Sequence, residues 1–359
     1  MSPAANAPKG SGRGAVSNPA NRFERLQYAT DVDAEDALAD DEKSGPRTMF
    51  FDDGSKSVLS RNDSPDVGFE FSINPYRGCE HGCIYCYARP THEYLGFSAG
   101  LDFESRIMIK REAPALLRKE LMSPRWTPQV IAFSGVTDCY QPIERKLRLT
   151  RRCLEVCAEF RNPVGIVTKN HAVTADLDVL RELARFNGIA VYISITTLDP
   201  DLARKMEPRA SPPSRRLAAI RELSDAGIPV GVFTSPVVPG LTEHEIPDLL
   251  KAAADAGAQF AGYTVLRLPY AVKQLFDEWL VTNFPGHRDK VLGRVRDLRE
   301  GQLNDSDFGS RMTGTGPLAK QIRQLFCVAR ARAGLGEKPA TLSTSFFRRP
   351  GTSEQLKFL

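Results

Sequence analysis

No stretch of this sequence holds the roughly 18–20 consecutive apolar residues that a bilayer-spanning helix needs. That excludes a helical membrane protein. The opening residues, MSPAANAPKGSGRGAVSNPANR, lack the apolar centre of a signal peptide, so a cytoplasmic protein with no membrane association is expected. Cysteine is sparse as well, with seven residues, an odd number, in a chain of 359. Without an export signal this argues against a disulfide framework, and clustered cysteines read instead as metal-binding or redox-active. A dominant charge is also missing. The 48 Lys and Arg against 44 Asp and Glu leave a net charge of +4, too balanced to announce nucleic-acid binding by itself. No module with a recognised nucleic-acid signature is evident.

What is present suits one large α/β domain with attachments. Residues 1–48 read as a disordered tail, rich in Ala, Gly, Pro, Ser and Asn and then acidic in DVDAEDALADDE. That acidic run is expected to be a solvated tail. Across 49–270, strand-like runs alternate with helical ones. The strands are FEFSINPY, QVIAFSGVTD, PVGIVTKN, IAVYISITTLD, IPVGVFTSPVVPG and QFAGYTVLRLP. They are β-branched and apolar on both faces, as buried parallel strands are. Gly227 and Gly257 stand where helices should stop. Six such units predict a parallel sheet wrapped by helices. They are too few for an eight-fold barrel, so a partial (β/α)6 barrel of the TIM type is expected, with its chemistry at the C-terminal strand ends. Residues 271–335 predict a C-terminal helical extension. Residues 336–359 read as an irregular tail pinned to the body by Phe346 and Phe347.

The densest chemistry lies in NPYRGCEHGCIYCYARPTHEYLG, where Cys79, Cys83 and Cys86 share one loop. Gly78 and Gly82 let the backbone bend around a bulky group. Three thiolates suit an iron–sulfur cluster or zinc. Zinc would need a fourth ligand, for which His81 and His92 are the neighbours. A four-iron cube on three cysteines keeps one position open for a substrate or cofactor.

The C-x3-C-x2-C spacing, with Tyr85 before the last cysteine and the loop following the first barrel strand, resembles the radical S-adenosylmethionine superfamily. The run VYISITTLDPDLARKMEPRA and its continuation to PVVPGLTEHEI resemble the branch related to spore photoproduct lyase. The likeness spans roughly residues 70–270. It implies a lyase-like enzyme with a [4Fe-4S] cluster on Cys79, Cys83 and Cys86, its fourth iron chelated by S-adenosylmethionine. Reductive cleavage would then yield methionine and a 5′-deoxyadenosyl radical that abstracts hydrogen from a substrate, with a flavodoxin- or ferredoxin-like protein as reducing partner. For S-adenosylmethionine the resemblance implies Tyr85, then Ser134 and Gly135, where the superfamily has a short glycine-rich turn; no Gly-Gly-Glu is present here. It adds Lys169 to meet a carboxylate or ribose, Ser194 and Thr196 on one face of a strand, and Glu207 with Arg209, the latter to fork onto a carboxylate.

Spore photoproduct lyase uses a cysteine in the turn after the second strand as hydrogen donor. Here that position matches Gly135 or Val136, and Cys139, a few residues later, is the candidate donor. Cys153, Cys157 and Cys327 read as packing residues. The basic block RKLRLTRR at 145–152, with Arg294, Arg296 and Arg299, suggests a basic rim for a phosphate-bearing substrate, with nucleic acid among the candidates. Two other readings stand beside this one: a non-catalytic nucleic-acid-binding scaffold that kept the cluster fold, and a zinc-binding structural protein.

Overall fold

The structure is a computed structural model that describes residues 12–23, 47–339 and 341–351. Its strands are β1 (Met49–Asp52), β2 (Leu59–Arg61), β3 (Phe71–Ile73), β4 (Tyr76–Arg77), β5 (Arg106–Ile109), β6 (Ile131–Phe133), β7 (Val164–Thr168), β8 (Ile189–Ser194), β9 (Val230–Val237) and β10 (Phe260–Val265). The main sheet runs β10-β9-β8-β7-β6-β3-β2. All neighbours from β3 to β10 are parallel, and β2 lies antiparallel on β3. Strands β2 and β10 end the sheet without pairing to each other, so the barrel stays open, as six βα units predict. Long connections between parallel neighbours bring each chain end back over one face, which places every strand-to-helix loop at the same end.

The helices between strands are α1 (Ala113–Met122), α2 (Leu149–Phe160), α3 (Leu177–Ala184), α4 (Pro200–Met206), α5 (Pro213–Asp225) and α6 (Ile246–Asp255). Their apolar stripes close one core with the strands. Leu117, Leu154, Leu180, Ile220 and Leu250 meet Ile131, Ile166, Val191 and Val232, all of them fully buried. Each such aliphatic side chain contributes about 1.5–3 kcal/mol by leaving water. The glycines after α5 and α6 do adopt the left-handed region, at φ 74° for Gly227 and 101° for Gly257.

A second sheet, β1-β5-β4, has no counterpart in the sequence reading. Its strands have two to four residues, too few for an alternation to register. It carries Tyr76 and Arg77 straight into the cysteine loop. After β10 the chain is helical in α7 (Val272–Asn283), α8 (Arg288–Asp297) and α9 (Gly316–Arg332). Leu275, Phe276 and Trp279 of α7 and Val291 of α8 pack with Ile84 and Tyr85, so this extension backs the cysteine loop. Cys153 and Cys157 are buried, but Cys327 is exposed on α9 and is not a packing residue.

Residues 12–23 depart from the expected disordered tail. They run beside the cysteine loop with Ala15 fully buried, because backbone amides of the segment find a buried acceptor in Glu104. The rest of 1–48 that was expected to be disordered lies outside the described residues, Arg47 and Thr48 excepted. At the other end Phe347 packs against Phe160 and Phe346 against Phe186. No helix among the described residues is long and apolar enough to cross a membrane.

Candidate functional site

The cysteine loop is held by residues that leave its thiols unengaged. Gly78 and Gly82 turn the backbone at φ 79° and 68°. The Cys79 amide donates to the Phe103 carbonyl (2.9 Å), and the Ile84 amide to Met206 (3.0 Å). Arg89 is fully buried and spends its donors on the loop. Its Nε reaches the Cys83 carbonyl (3.0 Å), one terminal nitrogen reaches Gly82 (3.2 Å), and the same nitrogen pairs with buried Glu104. Glu104 also accepts the amides of Gly14 (2.9 Å) and Ala15 (2.8 Å). On the far side, Glu80 accepts the Ile143 amide (2.8 Å), and Gln141 spans the Glu80 amide and the Gly78 carbonyl.

All three cysteines are free thiols, Cys79 and Cys83 buried and Cys86 partly exposed. Burial pushes each thiol up, and their mutual proximity adds to this for Cys79 and Cys83. Nearby cations oppose it: Lys169 and Arg216 at Cys83, and Arg89 and Lys169 at Cys86. Thiols in this setting are thiolates only when a bound cation compensates them. Among the described residues no three His, Cys, Asp or Glu side chains converge on one point as a single-ion site requires. The donor set fits an iron–sulfur cluster, in which each thiolate takes a different iron. His81 is engaged elsewhere, and His92 is packed among aromatic rings. His81 faces Asp138 (3.3 Å) and Asn170 (3.1 Å). His92 is buried between Phe97 and Phe103 with neither ring nitrogen hydrogen-bonded.

Across from the loop, the strand ends present a polar interior. Lys169, just after β7, reaches Ser194 Oγ (2.6 Å), the Ser235 carbonyl (3.0 Å) and Glu207 (3.3 Å). Thr196 donates to Glu207 (2.7 Å), and the Tyr85 hydroxyl meets both Glu207 and Thr196. Five expected residues, Tyr85, Lys169, Ser194, Thr196 and Glu207, thus form one network beside Cys83. Burial alone would raise the Glu207 carboxyl. The Arg216 guanidinium, with Lys169, outweighs it and holds the group well below the carboxylate range.

Arg216 is the residue sequence reasoning missed. It is fully buried, pairs with Glu207 and donates to the Ser194 carbonyl (2.9 Å). Nothing local distinguishes it from Arg215 beside it. Arg209, expected in this interior, instead faces Glu80 (3.1 Å) and Thr48 (3.2 Å) on the outer side of the cysteine loop.

Ser134 and Gly135 end β6 beside the loop. Ser134 sits at φ 71°, and its hydroxyl accepts the Cys139 amide (2.9 Å). The Gly135 carbonyl accepts the Tyr87 hydroxyl (2.9 Å). A Cβ at 135 would lie 2.6 Å from Ser72 Cβ, so the turn needs glycine. Asp138 organises the next loop by accepting from Thr168 Oγ1 (2.8 Å) and the Lys169 amide (2.8 Å). Cys139 is 1% exposed within the main apolar core, and burial with the adjacent Asp138 pushes its thiol well up. The surroundings are those of a packing cysteine. Across the open side of the barrel, Arg267, just after β10, lies over the Tyr87 ring at 4.8 Å. Its guanidinium has no hydrogen-bond or ion-pair partner among the described residues.

The expected basic rim does not form as one surface. Arg294 pairs with Glu243, Arg299 is buried on the carbonyls of Val265 and Leu266, and Arg151 is matched by Glu155, Asp176 and Asp178.

Comparison with known proteins places this arrangement. The sequence pattern of the Radical SAM superfamily matches residues 73–253. An uncharacterised protein of Mycobacterium tuberculosis is 36% identical over 248 residues, covering 68% of this chain and 71% of that protein. A radical SAM Nα-GlyT isomerase of Pseudomonas phage M6 is 26% identical over 289 residues, covering 78% of this chain and 55% of that protein. Among solved structures, spore photoproduct lyase complexed with dinucleoside spore photoproduct shares the fold at TM-score 0.56 and 18% identity, covering 80% of each chain.

Proposed function

Because this chain belongs to the radical S-adenosylmethionine superfamily, we propose that it is an enzyme whose Cys79, Cys83 and Cys86 hold a [4Fe-4S] cluster with one iron left for S-adenosylmethionine. The observation that carries this reading is the pairing of three unbridged thiols on one loop, Cys79 and Cys83 buried and Cys86 partly so, with a polar strand-end network beside them. When bound, the cluster supplies the electron that cleaves S-adenosylmethionine to methionine and a 5′-deoxyadenosyl radical, which removes hydrogen from the substrate.

The chain's own residues bind and orient. Lys169 offers an ammonium group at the interior end of β7, with Ser194 and Thr196 adding hydroxyls on the neighbouring strand end. These groups suit the carboxylate and ribose of S-adenosylmethionine. Glu207 stays ionised between Arg216 and Lys169 and fixes the Tyr85 hydroxyl, so the wall beside Cys83 is rigid before any ligand arrives. Such preorganisation keeps a reactive radical aimed at one position and away from water. Ser134 and Gly135 supply the turn that faces the loop from β6.

The test is anaerobic reconstitution with iron and sulfide, followed by dithionite and S-adenosylmethionine. Release of 5′-deoxyadenosine is expected, and none from the variant with Cys79, Cys83 and Cys86 all changed to Ala. Equal release from both would sink the assignment.

For the substrate, a nucleotide-bearing molecule is the class we favour. Arg267 holds an unsatisfied guanidinium stacked on a ring at the barrel's open side, a pairing that suits a phosphate beside a base. The fold neighbour's dinucleoside ligand supports it. Deuterium should pass from a deuterated oligonucleotide into 5′-deoxyadenosine. Efficient turnover with no transfer from either DNA or RNA oligonucleotides would exclude this class.

A further inference from the structure

Outside the barrel interior, a cleft of about 590 Å³ opens between the segments that follow β6, β7 and β8. Its walls carry Arg145, His171, Arg209 and Arg215. Arg209 ties the cleft to the cysteine loop. Its amide donates to the His81 carbonyl (3.2 Å), and its guanidinium meets Glu80 (3.1 Å). Both Glu80 and His81 lie between Cys79 and Cys83 in the chain, so one wall of the cleft is the outer face of that loop.

The charge there is strongly one-sided. Arg145 has no hydrogen-bond or ion-pair partner for its guanidinium among the described residues. Arg215 is exposed, and its guanidinium lies 3.1 Å from Nδ1 of His171. The acids nearby are already used: Glu222 faces the other nitrogen of His171 (2.8 Å), and Glu80 is buried behind Arg209. Arg13 approaches from the N-terminal segment, close enough to Arg209 for the two cations to repel. Lys146, Arg148 and Arg152 extend the exposed positive surface along the next segment. Arg145, the first residue of the basic block 145–152, thus lines the same cleft as Arg209, beside the cysteine loop.

We infer that this cleft is the docking surface for a small acidic one-electron carrier protein. The inference rests on the proposed function, in which each cleavage of the sulfonium consumes one electron. The carrier is oxidised by one electron and the cluster is reduced by one, and that electron is spent in breaking the carbon–sulfur bond. The remaining cysteines give no internal relay, since Cys139, Cys153 and Cys157 are buried in the apolar core and Cys327 lies out on α9. The electron enters from outside, and here the surface directly adjoins the cysteine loop. Guanidinium forks pair with carboxylates in two parallel hydrogen bonds. A rim of one sign steers an acidic partner and fixes its orientation.

The test compares the wild type with a double variant, Arg145→Glu with Arg215→Glu, using reduced flavodoxin as the acidic carrier. Two readouts are taken: binding of fluorophore-labelled flavodoxin by anisotropy, and 5′-deoxyadenosine formation driven by flavodoxin or by dithionite. Flavodoxin binding should weaken by about tenfold or more at low salt, and flavodoxin-driven turnover should fall with it. Dithionite-driven turnover, which needs no docking, should match the wild type. Unchanged flavodoxin binding would overturn the docking surface while leaving the enzyme assignment standing. Equal loss with both donors would overturn it too, as a folding or site defect. Displacement of flavodoxin by a short oligonucleotide, with flavodoxin-driven turnover intact in the variant, would make the cleft a phosphate site instead. Absence of product from the wild type with either donor would overturn the enzyme assignment, and the docking surface with it.

Discussion

Glu207 is a carboxylate with no solvent exposure that nonetheless stays ionised, because Arg216, Lys169, Thr196 and Tyr85 all converge on it. Buried charges of this kind add little net stability, since desolvation offsets the attraction. Removing one partner costs about 3–5 kcal/mol by stranding the other. The network is therefore better understood as fixing geometry beside Cys83 than as stabilising the fold. His92 presents the opposite case. It is 1% exposed with no hydrogen-bond partner, and burial lowers its pKa to about 4 from 6.5. The unfolded chain takes up this proton below about pH 6.5, whereas the folded protein resists until about pH 4. Stability should thus be full above pH 6.5 and decline as the pH falls from 6.5 to 4, by up to about 3 kcal/mol. His92→Phe, which can still pack on Phe97 and Phe103, should flatten that limb. Urea midpoints of both proteins across pH 4–7 would show it, and parallel pH profiles would refute it.

At the scale of elements, the N-terminal segment is part of the cysteine cradle. A Cβ at Gly14 would stand 1.8 Å from the Gly82 carbonyl oxygen, and one at Gly100 would lie 2.0 Å from the Ser17 carbonyl. Backbone meets backbone at both places, so no flexible side chain can yield. Glu104 joins the two layers, accepting the segment's amides on one side and Arg89, which holds the Cys83 carbonyl, on the other. Gly14→Val should lift the segment away, release Glu104 and loosen the loop. The expected outcome is a lower iron content after reconstitution and several-fold faster bleaching of the cluster absorption in air, with an unchanged far-ultraviolet circular dichroism spectrum. Wild-type iron content and bleaching would show that the segment only covers the surface. The small β1-β5-β4 sheet plays a matching part, because it delivers Tyr76 and Arg77 to Gly78 at the start of the same loop.

At the scale of the whole molecule, an open barrel with a helical extension has two sides to its active loop. The interior side gathers hydroxyls, Lys169 and Glu207. The outer side gathers the guanidinium groups of Arg145, Arg209 and Arg215 around a cleft. Much of this was legible in the sequence by itself. The cysteine spacing and the β-branched runs with helices between them are local patterns, set by bond geometry and by the periods of strand and helix. They determined six parallel strands in order, the loop that carries the thiols and Tyr85, and the placing of Lys169, Ser194 and Thr196 at strand ends. Only the tertiary structure decided the rest. It chose Arg216 over Arg209 as the partner of Glu207, packed Cys139 into the core, laid residues 12–23 against the cysteine loop, and brought Arg145, Arg209 and Arg215 to one cleft. Each of these depends on contacts between residues far apart in the chain. A side chain's partner there is set by which buried charge or amide is left unsatisfied once the layers close, and no local window of sequence contains that information.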